Sequence, residues 1–240
     1  MNSTETTFTH GQSNSQVVKV ENTVRRTLGP NSEFVHQLLK LLEAKSFQYA
    51  PKYLGTDDRN REILSFIPGV LGSEVEHTFE HFKECMHVLK QYHDATAGSA
   101  LAGSSEVVCH NDFALWNLLF ENNYLSGVID FDDAAPGKRV DDVAYAIWTL
   151  LEVGSSDDPE IVSKIVELVN VYGNISSDDL IEAFLSQMHK ILAKRKDMAV
   201  NSPKAEVREM SKGRISEIED QIRWVVQNSD KIIETFRHKL

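Results

Sequence analysis

Three oxygen-bearing side chains with a defined spacing stand out in this sequence. The segment from Cys109 to Asn117 contains the pattern H-x-D-x-x-x-x-N, which places Asp112 and Asn117 five residues apart on one predicted loop. A second carboxylate, Asp130, follows thirteen residues after Asn117. Phosphoryl transfer requires such a set, because one carboxylate orients a substrate hydroxyl and accepts its proton while an amide oxygen and another carboxylate hold magnesium.

A β-hairpin is predicted to bring Asn117 and Asp130 together. Two short apolar runs flank an asparagine-rich segment, and asparagine tolerates the left-handed backbone of tight turns. If the turn is centred on Asn123 and the residue after it, Leu118 faces Ile129. Asn117 and Asp130 then lie side by side at the open end of the hairpin, where they offer the hard oxygen ligands that Mg²⁺ prefers.

The same residues also have a structural interpretation. Asp112 and Asn117 could cap turns, and Asp130 could cap a helix. We expect His110 to brace the loop through hydrogen bonds rather than to do chemistry. Asp142 precedes an apolar run, so it is either a helix N-cap or, in a kinase-like site, a second support for the loop.

Three segments resemble the aminoglycoside phosphotransferase family, which includes choline kinase-like and other small-molecule kinases with a protein-kinase-like fold. These segments are Cys-His-Asn-Asp…Trp-Asn-Leu-Leu-Phe, Val-Ile-Asp-Phe-Asp-Asp-Ala-Ala-Pro-Gly and the run from Arg139 to Ala144. The resemblance implies that Asp112 is the catalytic base and that Asn117 and Asp130 bind Mg²⁺. It also implies ATP or GTP as the phosphoryl donor and a two-lobed α+β fold.

The elements around the motif are consistent with two lobes. Residues 1–67 are predicted to form a small β-rich nucleotide-binding lobe, in which two hairpins flank one amphipathic helix. Asn31 or Ser32 can cap this helix, which is expected to run to about Ala44. Pro68 and Gly69 end the second hairpin and mark the junction. Residues 68–240 are predicted to form a larger, mainly helical catalytic and substrate-binding lobe. Its helices are expected over about 74–95, 143–151, 178–196 and 215–237, and a further helix is expected to start at Asp158–Glu160.

Two sets of residues are candidates for holding the phosphates of a nucleotide. The loop around Ser13 and Ser15 resembles the phosphate-covering loop of the family, and its hydroxyl and N–H groups could cover phosphates. Kinases place a lysine on the third strand, where this chain offers Arg25 and Arg26. Alternation directs one arginine toward the cleft, without deciding which, and Glu33 is its possible partner.

The strand edge at Ser65, Phe66 and Ile67 is the candidate adenine site. An exposed edge offers alternating N–H and C=O groups that match an adenine edge. An ordinary strand followed by a turn explains the same residues equally well.

Only eleven residues separate Asp130 from Asp142, which leaves no room for a peptide-docking segment and favours a small hydroxyl acceptor. A polycationic acceptor would use carboxylates, and an ammonium group would use aromatic rings. The acidic candidates are Asp132, Asp133, Asp157, Asp158, Glu160, Asp178 and Asp179. The aromatic candidates are Trp116, Tyr145, Trp148 and Trp224, for which core packing is the alternative.

Composition narrows the class of protein. The chain has 240 residues and a net charge of −11, which argues against nucleic acid and anionic membranes and favours a cationic acceptor. Two cysteines provide no disulfide framework, and the first residues lack a signal-peptide pattern, so we expect a cytoplasmic protein. Besides a kinase, a non-catalytic kinase-like binding protein and a metal-dependent hydrolase remain as alternatives, and the sequence does not reveal the oligomeric state.

Overall fold

The computed structural model of the chain describes residues 5–7 and 17–239. It divides into two compact units, Met1–Gly137 and Lys138–Leu240. The first unit contains all the strands of the described chain and the second contains only helices, so the predicted α+β class is confirmed. The lobe boundary between residues 67 and 68 stays a prediction.

An antiparallel sheet of five strands opens the first unit. The strands are β1 (Glu5–Thr7), β2 (Val18–Val20), β3 (Thr23–Thr27), β4 (Tyr53–Thr56) and β5 (Arg61–Ser65), in the order β1-β2-β3-β5-β4. Helix α1 (Ser32–Ala44) joins β3 to β4 and buries Val35, Leu38, Leu39 and Leu42. These residues recur at the spacing of one helical face, which is why the sequence predicts this helix correctly.

The remainder of the first unit carries the predicted loop. It contains β6 (Val70–Leu71), a 3₁₀ turn (Gly72–Glu74), α2 (Phe79–Thr96), β7 (Val107–Cys109), a second 3₁₀ turn (Leu115–Asn117), β8 (Leu118–Glu121), β9 (Tyr124–Val128) and β10 (Ala135–Gly137). Strands β6, β8 and β9 form one small sheet, and β7 pairs with β10. Helix α2 begins five residues later than predicted, because Thr78 caps it and donates its N–H to His81 Nδ1 at 3.1 Å.

The β8–β9 hairpin exists, but its predicted register is wrong, by two residues next to the turn and by one residue at the open end. The turn consists of Asn122 and Asn123, both with positive φ (51° and 70°), so it lies one residue earlier than expected. A bulge then leaves Ser126 unpaired between the Phe120–Leu125 and Leu119–Gly127 pairs. As a result Leu118 faces Val128 and not Ile129.

The second unit consists of α3 (Arg139–Leu150), α4 (Ile161–Tyr172), α5 (Ser177–Asn201) and α6 (Ala205–Lys239). Helix α5 continues past the predicted end near residue 196, and α6 begins ten residues before the predicted start. The two long helices pack against each other, which adds burial that local sequence signals do not report. Among the described residues, none of the helices is both long and apolar enough to cross a bilayer.

Candidate active site

The loop between β7 and the second 3₁₀ turn is anchored by a buried histidine. His110 is 0% exposed, and its Nε2 lies 3.1 Å from the carbonyl oxygen of Ile129. Its Nδ1 accepts the N–H of Asp112 at 3.3 Å. These contacts assign the proton to Nε2, and they tie the loop to the segment that follows β9.

Asn117 holds the carboxylate of Asp112. Its Nδ2 donates to the backbone oxygen of Asp112 at 2.9 Å and to Asp112 Oδ2 at 2.8 Å. Trp116 Nε1 donates to the same Oδ2 at 3.1 Å. Because the amide nitrogen of Asn117 is directed at Asp112, its amide oxygen is the atom that could bind a cation.

Asp130 lies directly beyond the last backbone bond of the hairpin, in which Ile129 N–H donates to the Asn117 carbonyl at 2.9 Å. Its backbone is left-handed, with φ of 62°, and its side chain is 46% exposed. Partial burial raises the pKa of its carboxyl group, and the neighbouring charge of Asp132 raises it further, while Arg26 opposes the shift. Like charges so close together favour a cation, so the donor set fits Mg²⁺, with Asp130 and Asn117 as oxygen donors.

Arg26, rather than Arg25, contacts these carboxylates. Its Nη2 lies 2.5 Å from Asp132 Oδ1, and its Nη1 lies 3.6 Å from Asp130 Oδ1. Arg25 instead donates to Thr23 Oγ1 at 2.5 Å and lies 3.9 Å from an oxygen of Asp57. Strand alternation sends the two neighbours to opposite faces, and the structure decides which one reaches the site.

Glu62 is the partner of Arg26, and not Glu33, which the sequence offered as a possible partner. The two residues face each other across β3 and β5, and Arg26 Nε donates to Glu62 Oε1. Glu62 is 0% exposed, and its second oxygen lies 2.7 Å from His36 Nε2 on α1. Burial alone would lower the pKa of Arg26, but the charges of Glu62 and Asp132 outweigh it and raise that pKa.

The predicted adenine edge is only partly available. Ser65 N–H donates to the carbonyl of Lys52 at 2.9 Å, and Phe66 N–H donates to the carbonyl of Asn22 at 3.0 Å. Both N–H groups are therefore used within the protein and cannot serve an adenine edge in this conformation. Ile67 lies just beyond β5, and its side chain packs against the backbone of the β8–β9 hairpin.

The other predicted site residues lie elsewhere. Ser13 and Ser15 fall outside the residues that the structure describes. Asp142 is 1% exposed in the first turn of α3, whose N-cap is Lys138, so its interpretation as an N-cap is wrong. Its support of the Asp112 loop stays a prediction.

Sequence reasoning missed Glu62 and His36 as members of this cluster. The one available signal was a glutamate at the start of the apolar run Ile63–Leu64, because a charge placed next to buried strand positions needs a partner. It also treated Trp116 only as a possible aromatic contact and did not foresee its hydrogen bond to the carboxylate.

Comparison with known proteins confirms the resemblance seen in the sequence. Residues 89–162 match the model of the phosphotransferase enzyme family. The chain is 32% identical over 168 residues to the trifolitoxin immunity protein of Rhizobium leguminosarum bv. trifolii, covering 63% of this chain and 64% of that protein. It is 27% identical over 135 residues to hydroxylysine kinase of Bos taurus, covering 55% and 32%. The alignments thus span less than two thirds of either relative.

Solved structures show the same fold at low sequence identity. A choline/ethanolamine kinase family protein from Mesorhizobium loti has a TM-score of 0.67 at 11% identity, over 99% of this chain and 94% of that one. Spectinomycin phosphotransferase with ADP and spectinomycin has a TM-score of 0.61 at 14% identity, over 96% and 93%. A ternary complex of an aminoglycoside phosphotransferase with streptomycin and ATP has a TM-score of 0.59 at 14% identity, over 91% and 93%. The fold is therefore protein-kinase-like.

Proposed function

We propose that this protein transfers the γ-phosphoryl group of ATP, or of GTP, to a hydroxyl group of a small molecule with the help of Mg²⁺. One observation carries the proposal. The carboxylate of Asp112 is held by Asn117 at 2.8 Å, and Asn117 joins the segment of Asp130 through a backbone bond of 2.9 Å. In this proposal a proton acceptor and two cation ligands belong to one hydrogen-bonded loop and hairpin, which suits phosphoryl transfer by positioning.

Each residue has a defined task in this proposal. Asp112 orients the acceptor hydroxyl and accepts its proton. His110 holds the loop through its hydrogen bonds to the backbone of Asp112 and Ile129. The Asn117 amide oxygen and the Asp130 carboxylate hold the cation. When bound, Mg²⁺ neutralises the charge on the phosphate oxygens.

Arg26 binds the phosphates of the nucleotide. Its Nε is held by Glu62, so the guanidinium keeps its position when its ligands change. Its Nη1 and Nη2 atoms, which contact Asp130 and Asp132, form the fork that matches two phosphate oxygens. In this proposal a nucleotide phosphate replaces the carboxylate of Asp132.

The acceptor is an aminoglycoside or a related amino alcohol or sugar. The negative charges of Asp132 and Asp112 both act on the carboxylate of Asp130, and in this proposal the three carboxylates attract a cationic acceptor. The structures of similar fold bind spectinomycin and streptomycin, and one relative is a hydroxylysine kinase. Both cysteines are buried and neither forms a disulfide bond in the described part of the chain, which is compatible with a cytoplasmic protein.

A second candidate is a non-catalytic role in immunity. The trifolitoxin immunity protein has a higher identity to this chain than hydroxylysine kinase has. A kinase-like protein that confers immunity by binding a nucleotide or a small ligand would need the fold without the chemistry. The intact set of Asp112, Asn117 and Asp130 favours the first candidate.

The experiment incubates the protein with Mg²⁺ and γ-labelled ATP or GTP over spectinomycin, streptomycin, gentamicin, hydroxylysine and choline. We expect transfer to at least one acceptor and a fall of about a thousandfold or more in kcat for Asp112→Asn. Asp94→Asn is the matched control, because Asp94 pairs with Lys90 on the surface of α2. Nucleotide binding without transfer to any acceptor would favour the immunity candidate, and an Asp112→Asn variant as fast as wild type would refute the assignment.

A further inference from the structure

We infer that Trp116 positions the carboxylate of Asp112 through its indole N–H and provides the surface on which the acceptor packs. The inference deepens the proposed function and rests on it. It concerns a residue of the loop that carries the chemistry, at the position just before the proposed cation ligand Asn117.

The first role follows from the hydrogen bonds on one oxygen atom. Trp116 Nε1 lies 3.1 Å from Asp112 Oδ2, and Asn117 Nδ2 lies 2.8 Å from the same atom. An aspartate has two rotatable side-chain bonds, so two donors on one oxygen restrict both bonds and define the direction in which the carboxylate faces. Trp116 is therefore a positioning residue that acts through Asp112.

The second role follows from the exposure of the indole. Trp116 is 44% exposed, although Ala114 before it in the loop and Leu118 at the start of β8 are both 0% exposed. Trp148 shows the ordinary arrangement, since it is 5% exposed and donates its N–H within the helical unit. An indole that is anchored by its N–H yet leaves much of its surface in water offers a flat apolar surface to a ligand.

The two roles are linked by geometry. The N–H edge of the ring touches the carboxylate that would receive the acceptor hydroxyl, so the neighbouring atoms of a bound acceptor must approach the same ring. Ring faces attract ammonium groups and pack well against the C–H face of a sugar or an alkyl ammonium chain. We therefore infer that Trp116 packs against acceptors that carry an ammonium group or a C–H face next to the reacting hydroxyl.

Two substitutions separate the roles. Trp116→Phe keeps a flat ring without the N–H, and we expect kcat to fall about tenfold to a hundredfold with the acceptor KM nearly unchanged. Trp116→Gln offers an N–H group without the ring, and we expect kcat to recover in part while the acceptor KM rises about threefold to thirtyfold. The control is Tyr124→Phe, since Tyr124 is a 69% exposed aromatic residue at the other end of the hairpin.

A titration without nucleotide tests separately whether the acceptor packs on Trp116. Titration of the wild-type protein with the same acceptors should change the tryptophan emission, and the change should vanish in Trp116→Phe, because the emission left comes from Trp148 and Trp224. The melting temperature of each variant shows whether it is folded.

The outcomes distinguish this inference from the proposed function. If Asp112→Asn abolishes transfer while both Trp116 variants keep wild-type kcat and KM, the inference is overturned and the proposed function stands. An acceptor that changes the emission of Trp116→Phe as much as that of wild type also overturns it. If no acceptor changes the emission of the wild-type protein, the packing surface is refuted, whether or not transfer occurs.

Discussion

Arg26 and Glu62 face each other across β3 and β5, and this pair connects the sheet to the acidic segment after the hairpin. Glu62 is 0% exposed and also contacts His36 of α1, while Arg26 reaches Asp132, which lies 106 residues away in the chain. Kinases draw the partner of their phosphate-binding lysine from the helix. The carboxylate that contacts Arg26 comes from a strand, and the helix α1 contributes a histidine that contacts the same carboxylate.

Removing the carboxylate of Glu62 should destabilise the protein. Glu62→Ala leaves the guanidinium of Arg26 largely buried with less compensation, and breaking a buried ion pair costs about 3 kcal/mol or more. Urea unfolding should show this loss in the free energy of unfolding. Glu121→Ala, at the exposed end of β8, should change it by less than about 0.5 kcal/mol. Equal effects of the two substitutions would mean that the Arg26–Glu62 pair does not stabilise the fold.

The two arginines of β3 should differ in nucleotide binding. Arg26→Met removes the fork that contacts Asp130 and Asp132, and we expect the affinity for ATP with Mg²⁺ to fall about tenfold to a hundredfold in calorimetric titrations. Arg25→Met should change the affinity by less than about threefold, because Arg25 contacts Thr23 and Asp57 instead. The reverse order of effects would assign the phosphates to Arg25.

Asp130 should set the magnesium requirement. Asp130→Asn removes one charged oxygen ligand, so the Mg²⁺ concentration for half-maximal transfer should rise at least about tenfold. Asp132→Asn serves as the comparison. It should raise the required Mg²⁺ concentration less, because Asp132 lies next to the proposed ligand and is not itself a proposed ligand. A Mg²⁺ requirement that is insensitive to Asp130→Asn would exclude this residue as a ligand.

The raised pKa of Asp130 predicts a pH dependence of Mg²⁺ binding. Burial and then the charge of Asp132 raise the pKa of Asp130, so it binds a proton at a higher pH than an ordinary aspartate, whose pKa is about 3.9. Mg²⁺ binds the ionised carboxylate. As the pH is lowered, the affinity of the protein for Mg²⁺ should therefore begin to fall at a higher pH than it would with an unperturbed carboxylate. Asp132→Asn lowers the pKa of Asp130 and should move this loss to more acidic pH in Mg²⁺ titrations.

The hairpin turn should tolerate glycine but not a β-branched residue. Asn123 has φ of 70°, in the left-handed region that asparagine and glycine adopt readily. Asn123→Val should lower the free energy of unfolding by about 1–2 kcal/mol, whereas Asn123→Gly should leave it within about 0.5 kcal/mol. Tyr124→Val, at the first position of β9, is the control for a change in side chain alone. Similar stability of Asn123→Val and Asn123→Gly would contradict the turn.

Local signals predicted most of the first unit. The hairpin of β2 and β3, the helix α1 and the hairpin of β4 and β5 follow from alternation, helical spacing and turn residues, all of which act within a few positions. The register of β8 and β9 was missed because the turn lies one residue earlier than predicted and a bulge at Ser126 then shifts the pairing again. The hydroxyl of Ser126 also donates to the carbonyl of Pro68, 58 residues away. A tertiary contact of this kind leaves no mark on the local pattern.

Some contacts of the candidate site also follow from local sequence, and others depend on tertiary packing. The sequence by itself determined that Asp112 and Asn117 share one loop and that Asp130 follows a short hairpin, because a few residues of chain allow little else. Only the tertiary structure decided that Arg26 and not Arg25 contacts Asp130 and Asp132. It also decided that Glu62 contacts both Arg26 and His36. The reason is physical, since charged groups distant in the chain meet only where packing brings their strands and helices together, and burial then makes their pairing obligatory.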